Sequence, residues 1–205
     1  MPKVKEKRER ALGVHLHIKG ERCMSPKCAF IRKPYRPGVH GQKRRRGTIS
    51  DFGRQLQEKQ KFKLAYGVSE RELRRLFGAA RKEKGSTATK LVELLERRLD
   101  NVVFRLGFAK SRAQAAQLIV HGHIFVNGRR TRSPGFAAKA GDTIHIRPDS
   151  RSKALFGNLG EALKKYEPPV WLALDLEKLE GKVVRLPAEA GVPFEVSVLV
   201  ESFSK

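Results

Sequence analysis

Eight polar and basic residues, Arg112, Gln114, Gln117, His121, His123, Arg129, Arg130 and Arg132, follow one another with no Asp or Glu between them. These groups suit a polyanion. A guanidinium forks onto phosphate oxygens, and amide and imidazole groups reach phosphate, sugar or base edges. Ser111 stands three residues before Gln114, the spacing of a capping box, so a helix is predicted to open there. Its unpaired N–H groups and the positive end of its dipole then stand beside Arg112, an arrangement that favours phosphate. A charged face is often only a solvated one. Here the chain as a whole carries 44 Lys and Arg against 21 Asp and Glu, a formal charge of +23, which favours an anionic partner.

The elements that must hold these groups lie between Arg97 and Arg147. Leu91, Leu95, Leu99, Val102 and Leu106 recur at helical spacing and predict one helix, ended by Gly107. The helix from Ser111 is predicted to bury Ala115, Ala116, Ile119 and Val120 and to stop at Gly122. Ile124 to Val126 reads as a strand and Asn127-Gly128 as a two-residue hairpin turn. A second turn at Ala140-Gly141-Asp142 leads into Thr143 to Arg147, which alternates as a strand does. The predicted unit is two helices on a small antiparallel sheet.

At this point the residues carry a resemblance. RLDNVVFRLGFAKSRAQAAQLIVHGHIFVNG resembles the RNA-binding domain first described in ribosomal small-subunit protein four. Pseudouridine synthases, a bacterial tyrosyl-tRNA synthetase and a small heat-shock RNA binder share that domain, so the flanks decide. RKPYRPGVHGQKRRR, SDFGRQLQEKQKFKLAYGVSERELRRLF and PFEVSVLVESFSK are similar to the bacterial form of the ribosomal family. The match runs from about Gly20 to Lys205. The resemblance implies early binding to small-subunit rRNA at a helix junction, and nucleation of subunit assembly. It also implies contact with small-subunit ribosomal protein five, a place beside the channel by which mRNA enters, an influence on decoding accuracy, and in some members repression of the protein's own mRNA.

The rest of the chain is read in the same light. The expected fold class is α+β. Residues 1–47 form a basic, extended N-terminal arm broken by Pro34, Pro37, Gly38 and Gly41, with a short strand over Val14 to Ile18. Residues 48–90 form a helical domain joined by the C-terminal segment 190–205, and 91–189 form the RNA-binding domain. In the helical domain, Ser50 or Asp51 caps a helix to Tyr66 with Phe52, Leu56, Phe62 and Tyr66 on its buried edge. Ser69 with Glu72 caps a second, with Leu73, Leu76 and Phe77 inward. A further helix is predicted from Ser152 to Tyr166. Strands follow over Trp171 to Leu176 and Lys182 to Leu186, turning about Glu180-Gly181. The arm and first helix add Arg36, His40, Gln42, Lys43, Arg44, Arg45, Arg46, Arg54, Lys59 and Lys61 to the expected RNA contacts, and Ser111 and Asn127 complete them in the central unit. The run Lys43 to Arg46 is expected to lie along mRNA or rRNA phosphates.

Other functions are excluded on the same residues. No Gly-rich phosphate loop ends in Lys-Ser or Lys-Thr, and no room remains for a separate catalytic domain of about 150 residues. The chain is therefore read as a non-enzyme without a small-molecule substrate; an RNA-binding accessory factor or a fragment of an RNA-modifying enzyme is the alternative. A DNA-binding protein lacks support, because no helix-turn-helix or zinc-finger pattern is present. No apolar run approaches the roughly 20 residues of a membrane span. No signal peptide is expected, and two cysteines fit a reducing cytoplasm. Some members of the resembled family bind zinc through a second cysteine pair upstream of Cys23 and Cys28. This chain has none there; Glu6 and Glu9 fall about where that pair would lie. His15, His17 or His40 could complete a mixed site, but the expectation is a pair of reduced thiols, no zinc and no cofactor.

Overall fold

The computed structural model describes residues 5–43, 49–153, 156–164, 166–187 and 194–204. Two compact units divide the chain, Met1–Val92 with Gly191–Lys205, and Glu93–Ala190.

The first unit is helical. Three short helices, α1 (Lys5–Leu12), α2 (Glu21–Met24) and α3 (Ala29–Arg32), precede the longer α4 (Asp51–Tyr66) and α5 (Glu70–Lys82). The N-terminal stretch thus adds short helices to the extended segments read from the sequence, and α1 packs on α3 and α4. No strand forms at Val14 to Ile18, because His17 turns into the left-handed region at φ 52°. Ser50 accepts the Gly53 N–H at 3.2 Å and Ser69 accepts the Glu72 N–H at 3.1 Å, so both predicted caps form. The buried side of α4 is Gln55, Glu58, Phe62 and Tyr66, while Phe52 is 73% exposed and Leu56 40%. At about 100° per residue, Phe52 and Leu56 lie on the flank of the stripe that Phe62 and Tyr66 define. The predicted inner face of α5 is buried, with Ala80 added. A closing helix at the C-terminus, α11 (Val196–Ser204), packs on α4 and α5. Phe203 stacks on Phe77 at 4.9 Å, and Leu199 is fully buried.

Between the two long helical runs lies α6 (Thr87–Glu96). The second unit then contains α7 (Leu99–Arg105), α8 (Arg112–Val120), β1 (Ile124–Val126), β2 (Arg129–Arg130) and β3 (Thr143–Ile146). It continues with α9 (Pro148–Arg151), α10 (Leu159–Lys164), β4 (Leu172–Asp175) and β5 (Glu180–Val183). The strands form one antiparallel sheet in the order β2-β1-β3-β5-β4. Its core joins Leu99, Val102, Val103 and Leu106 of α7, Ala115, Leu118 and Ile119 of α8, and the sheet's inner face.

Several sequence expectations change here for identifiable reasons. The single helix through Leu91 to Leu106 is broken at Arg97-Arg98. There the Arg97 carbonyl accepts the Ala138 N–H at 2.9 Å, and the Leu99 N–H donates to the Phe136 carbonyl at 2.8 Å. Helical bonds are exchanged for bonds to a distant loop. In α8, Val120 is exposed although expected inside, and Leu118, which was not singled out, is buried. Of the expected helix from Ser152 to Tyr166, only α10 is helical among the described residues; α9 ends before it. The last hairpin turns over Leu176 to Leu179, not at Glu180-Gly181. Asp175 nucleates it by accepting the Glu177 and Lys178 N–H groups at 3.0 and 3.1 Å. Gly181 is instead inside β5, where a Cβ would lie 2.3 Å from the Leu106 side chain. It is a packing glycine rather than a turn glycine. By contrast, the Asn127-Gly128 turn forms as expected, with φ 49° and 75°.

Candidate nucleic-acid interface

The start of α8 is built by its own cap. Ser111 accepts the Gln114 N–H at 3.2 Å, and the Gln114 side chain accepts the Lys110 N–H at 2.8 Å. Both predicted contact residues therefore hold the helix end in shape. Arg112 is tied inward as well. Its Nε donates to Asn101 Oδ1 at 2.7 Å, and its guanidinium lies 4.7 Å over the Phe104 ring. Asn101 is fully buried and donates to the Glu96 carbonyl at 3.1 Å and to Glu96 Oε2 at 2.6 Å. Arg105 forks onto the same carboxylate with two bonds of 3.1 Å. Beside it, Arg98 forks onto Asp100 at 3.1 and 2.8 Å. Burial pushes the Asp100 carboxyl up, and the Arg98 bonds pull it back.

The electrostatic result is the main property of this face. Glu93, Glu96 and Asp100 are all buried, each against an arginine. The acids of α6 and α7 are turned inward, and the outer face keeps its cations. Buried pairs of this kind add little net stability, but they fix geometry, because losing one partner strands the other.

The far end of α8 gathers a second group. Gln114, Gln117, Leu118, His121 and His123 line a small cavity of about 150 Å³. The His121 and His123 rings lie parallel, 6.2 Å apart. Arg130 reaches back and donates to the His121 carbonyl at 3.2 Å. Gly122, at φ 73°, lets the Arg130 guanidinium lie against bare backbone, since a Cβ would stand 2.1 Å from its Nε. His123 Nδ1 bonds Ser150 Oγ at 2.9 Å. Burial, and then the charges of Lys153, His121, Arg147 and Arg130, hold the His123 imidazole below the ordinary histidine range. Arg129 and Arg132 are exposed, with no carboxylate partner among the described residues. Asn127 is committed to the sheet: its side chain donates to Asp142 at 2.8 Å and accepts the Thr143 N–H at 2.9 Å.

In the first unit several expected contact residues already hold an acid. Arg54 pairs with Glu195 at 2.5 Å. Lys59 pairs with Glu70 at 3.1 Å and lies 5.4 Å over the Phe203 ring, and Lys61 pairs with Glu58. Exposed pairs such as Arg54–Glu195 are weak, and a phosphate can take the place of the acid. Arg36, His40, Gln42 and Lys43 are exposed, whereas Arg44, Arg45 and Arg46 lie outside the described residues. One basic face was missed in the sequence. Arg71, Arg74, Arg81 and Lys82 stand on the outer side of α5, exposed and without a carboxylate partner among the described residues. Gly78 lies among them, and a Cβ there would meet nothing within 4 Å. The signal was present: these cations alternate at helical spacing with the inward Leu73, Leu76, Phe77 and Ala80.

Cys23 and Cys28 are free and buried, and with His15 their donor atoms lie within 4.8 Å of one another. Burial raises the Cys23 thiol, the Lys19 N–H bond lowers it, and the nearby charges of Glu9, Cys28 and Glu6 raise it again. Two thiols and an imidazole are a donor set that zinc accepts. No helix among the described residues is long and apolar enough to cross a membrane.

Comparison with known proteins agrees with this geometry. A family described as "Ribosomal protein S4/S9 N-terminal domain" matches residues 3–96, and one described as "S4 domain" matches residues 97–144. The chain is 49% identical to "Small ribosomal subunit protein uS4" of Thermus thermophilus over 195 residues, 94% of this chain and 93% of that relative. It is 48% identical, with the same coverage, to "Small ribosomal subunit protein uS4A" of Alkaliphilus oremlandii. The corresponding protein of Caldicellulosiruptor bescii is 47% identical, again over 94% of this chain.

Proposed function

The chain belongs to the ribosomal protein S4 family, and we propose that it works as its relatives' names say, as a structural protein of the small ribosomal subunit that binds rRNA. It acts by binding and not by turnover. One observation carries the reading: the acids of α6 and α7 are buried against arginines, so the surface around α8 and the hairpin is left cationic. Arg129, Arg130 and Arg132 offer charge at the hairpin, and Gln117, His121 and His123 offer hydrogen bonds beside the small cavity. Such a surface reads the shape and phosphates of folded RNA more than its sequence. The exposed stripe on α5 extends the same chemistry in the first unit. Coverage of 93% of a full-length relative speaks against the alternative of an accessory factor or enzyme fragment that shares only the central domain.

A finer reading follows from the same cations. Lys43 to Arg46 grip single-stranded phosphates where mRNA enters, and a neighbouring surface meets small-subunit ribosomal protein five. Replacing the four by Ala slows unwinding of a downstream mRNA hairpin by reconstituted subunits; an unchanged rate removes the mRNA role.

The experiment that tests the main reading is a salt titration of binding to small-subunit rRNA. If about ten phosphates are neutralised, the log–log slope lies near −7 to −9. Replacing Arg71, Arg74, Arg81 and Lys82 together by Ala flattens it by about 3 with the fold intact. A slope flatter than about −3 in the unaltered chain defeats the broad-surface reading.

A further inference from the structure

We propose that the free edge of β4 is a docking site for an extended cationic segment of another protein, which joins the sheet as a further strand. The sheet runs β2-β1-β3-β5-β4, so no strand flanks β4 on its outer side. The open backbone groups follow from the register. The Val184 N–H donates to the Trp171 carbonyl at 3.0 Å, and Ala173 and Asp175 stand opposite Lys182 and Glu180. Antiparallel bonding alternates along a strand, so Trp171, Ala173 and Asp175 turn their backbone groups to β5, and Leu172 and Leu174 turn theirs to the open side. The Leu172 N–H is taken by the Pro169 carbonyl at 2.8 Å. The Leu174 N–H and carbonyl are left for a further strand. Edges of this kind are normally guarded by a lysine, a proline or a bulge within the strand. Leu172-Ala173-Leu174-Asp175 holds no lysine or proline, and its register is unbroken.

Charge decides the occupant. Residues 167–180 carry four acids, Glu167, Asp175, Glu177 and Glu180, and one cation, Lys178, in a chain whose formal charge is +23. Elsewhere acids are matched, for Glu70, Glu93, Glu96 and Asp100 each hold a lysine or an arginine. None of the four acids about β4 has an ion pair among the described residues. Their charge repels phosphate and attracts lysine and arginine. Apolar side chains stand exposed beside them: Val170 is 80% exposed, Val184 56% and Leu176 44%. Val184 is bonded across from Trp171, so it lies next to Val170 at the start of the edge. Acids and apolar groups together fit a strand in which Lys or Arg alternates with Val- or Ile-like residues. In such strand addition the backbone supplies affinity and the alternate side chains supply choice. The proposal goes beyond the RNA reading and does not rest on it, because this edge is the part of the second unit least suited to an anion.

The probe is a blocked octapeptide of alternating Lys and Val, added to the isotope-labelled full chain and followed by amide NMR. It is expected to shift the resonances of Leu172 to Asp175 and to slow hydrogen exchange at the Leu174 amide at least tenfold. Added salt should weaken it. The matching peptide of Glu and Val is expected to leave β4 untouched. Asp175→Asn combined with Glu177→Gln and Glu180→Gln removes the charge and keeps the side-chain oxygen that Asp175 gives the turn; it should weaken the Lys–Val peptide at least tenfold. Four results overturn the proposal: no shift with the Lys–Val peptide, equal protection by the Glu–Val peptide, unchanged affinity in the triple variant, or a mixed-sequence RNA oligonucleotide that shifts the same amides. Protection of Leu174 that rises with chain concentration when no peptide is present overturns it too, and gives the edge to a second copy of this chain. The two peptides are compared on the unaltered chain, so a triple variant that fails to fold leaves that comparison decisive.

Discussion

The two units present cations to solvent by opposite means. In the second, the acids of α6 and α7 are folded inside and neutralised there, so the outer arginines and histidines are set by a packed interior. In the first, acids and cations share the surface. Arg54, Lys59 and Lys63 lean on Glu195 and Glu70, while Arg71, Arg74, Arg81 and Lys82 on the outer side of α5 stand clear of acids among the described residues. The lesson is that positive potential can be a property of a core or of a surface. The first kind should be stiff and intolerant of substitution, the second adjustable.

The sharpest way to break this contrast is to remove an inward acid. Glu96→Ala strands the buried Asn101 amide and releases Arg105. It should cost about 2–4 kcal/mol, near the lower end for a broken buried pair because Arg105 reaches solvent. Arg112→Glu should cost less, yet damage folding and RNA affinity together, because Arg112 also donates to Asn101. Denaturant midpoints measured beside those of Arg54→Ala, which should not move, give the comparison directly. Equal tolerance at Glu96 and Arg54 would show that the inward acids do not organise the second unit.

Two glycines should differ in sign. Gly181→Ala forces a Cβ onto Leu106 and should destabilise by about 1–3 kcal/mol. Gly78→Ala, mid-helix and in open space, should stabilise by about 0.5–1 kcal/mol. If the α5 stripe lets an RNA backbone approach closely at Gly78, the same change weakens RNA binding while it stabilises the fold.

The smallest effect is at His123. Its folded pKa is depressed below 6.5, so the stability linked to the neutral ring is present above that value and lost as pH falls through the folded one. Phosphate beside it would shift the titration upward. Histidine resonances followed through pH, with and without an rRNA fragment, read the shift; no movement on adding RNA takes His123 out of the interface.

Local spacing by itself determined α4 and α5 of the first unit, the Ser69 and Ser111 caps and the Asn127-Gly128 turn, because each depends on a few adjacent side chains. It also determined the basic character of the α8 face, since no acid interrupts it. Tertiary structure decided the rest. The break at Arg97-Arg98 depends on backbone groups some forty residues away, and the role of Gly181 depends on Leu106. The site was legible as a list of cations but not as an arrangement. What holds Arg54, Lys59 or Arg112 is a group elsewhere in the sequence, an acid for the first two and the Asn101 amide for the third, and spacing carries no record of that partner. The same holds for His15. A turn at His17 and three short helices bring it beside two cysteines that are five residues apart in sequence. Short-range stereochemistry is written in neighbouring residues, whereas the pairing of charges and ligands is written only once the chain has folded back on itself.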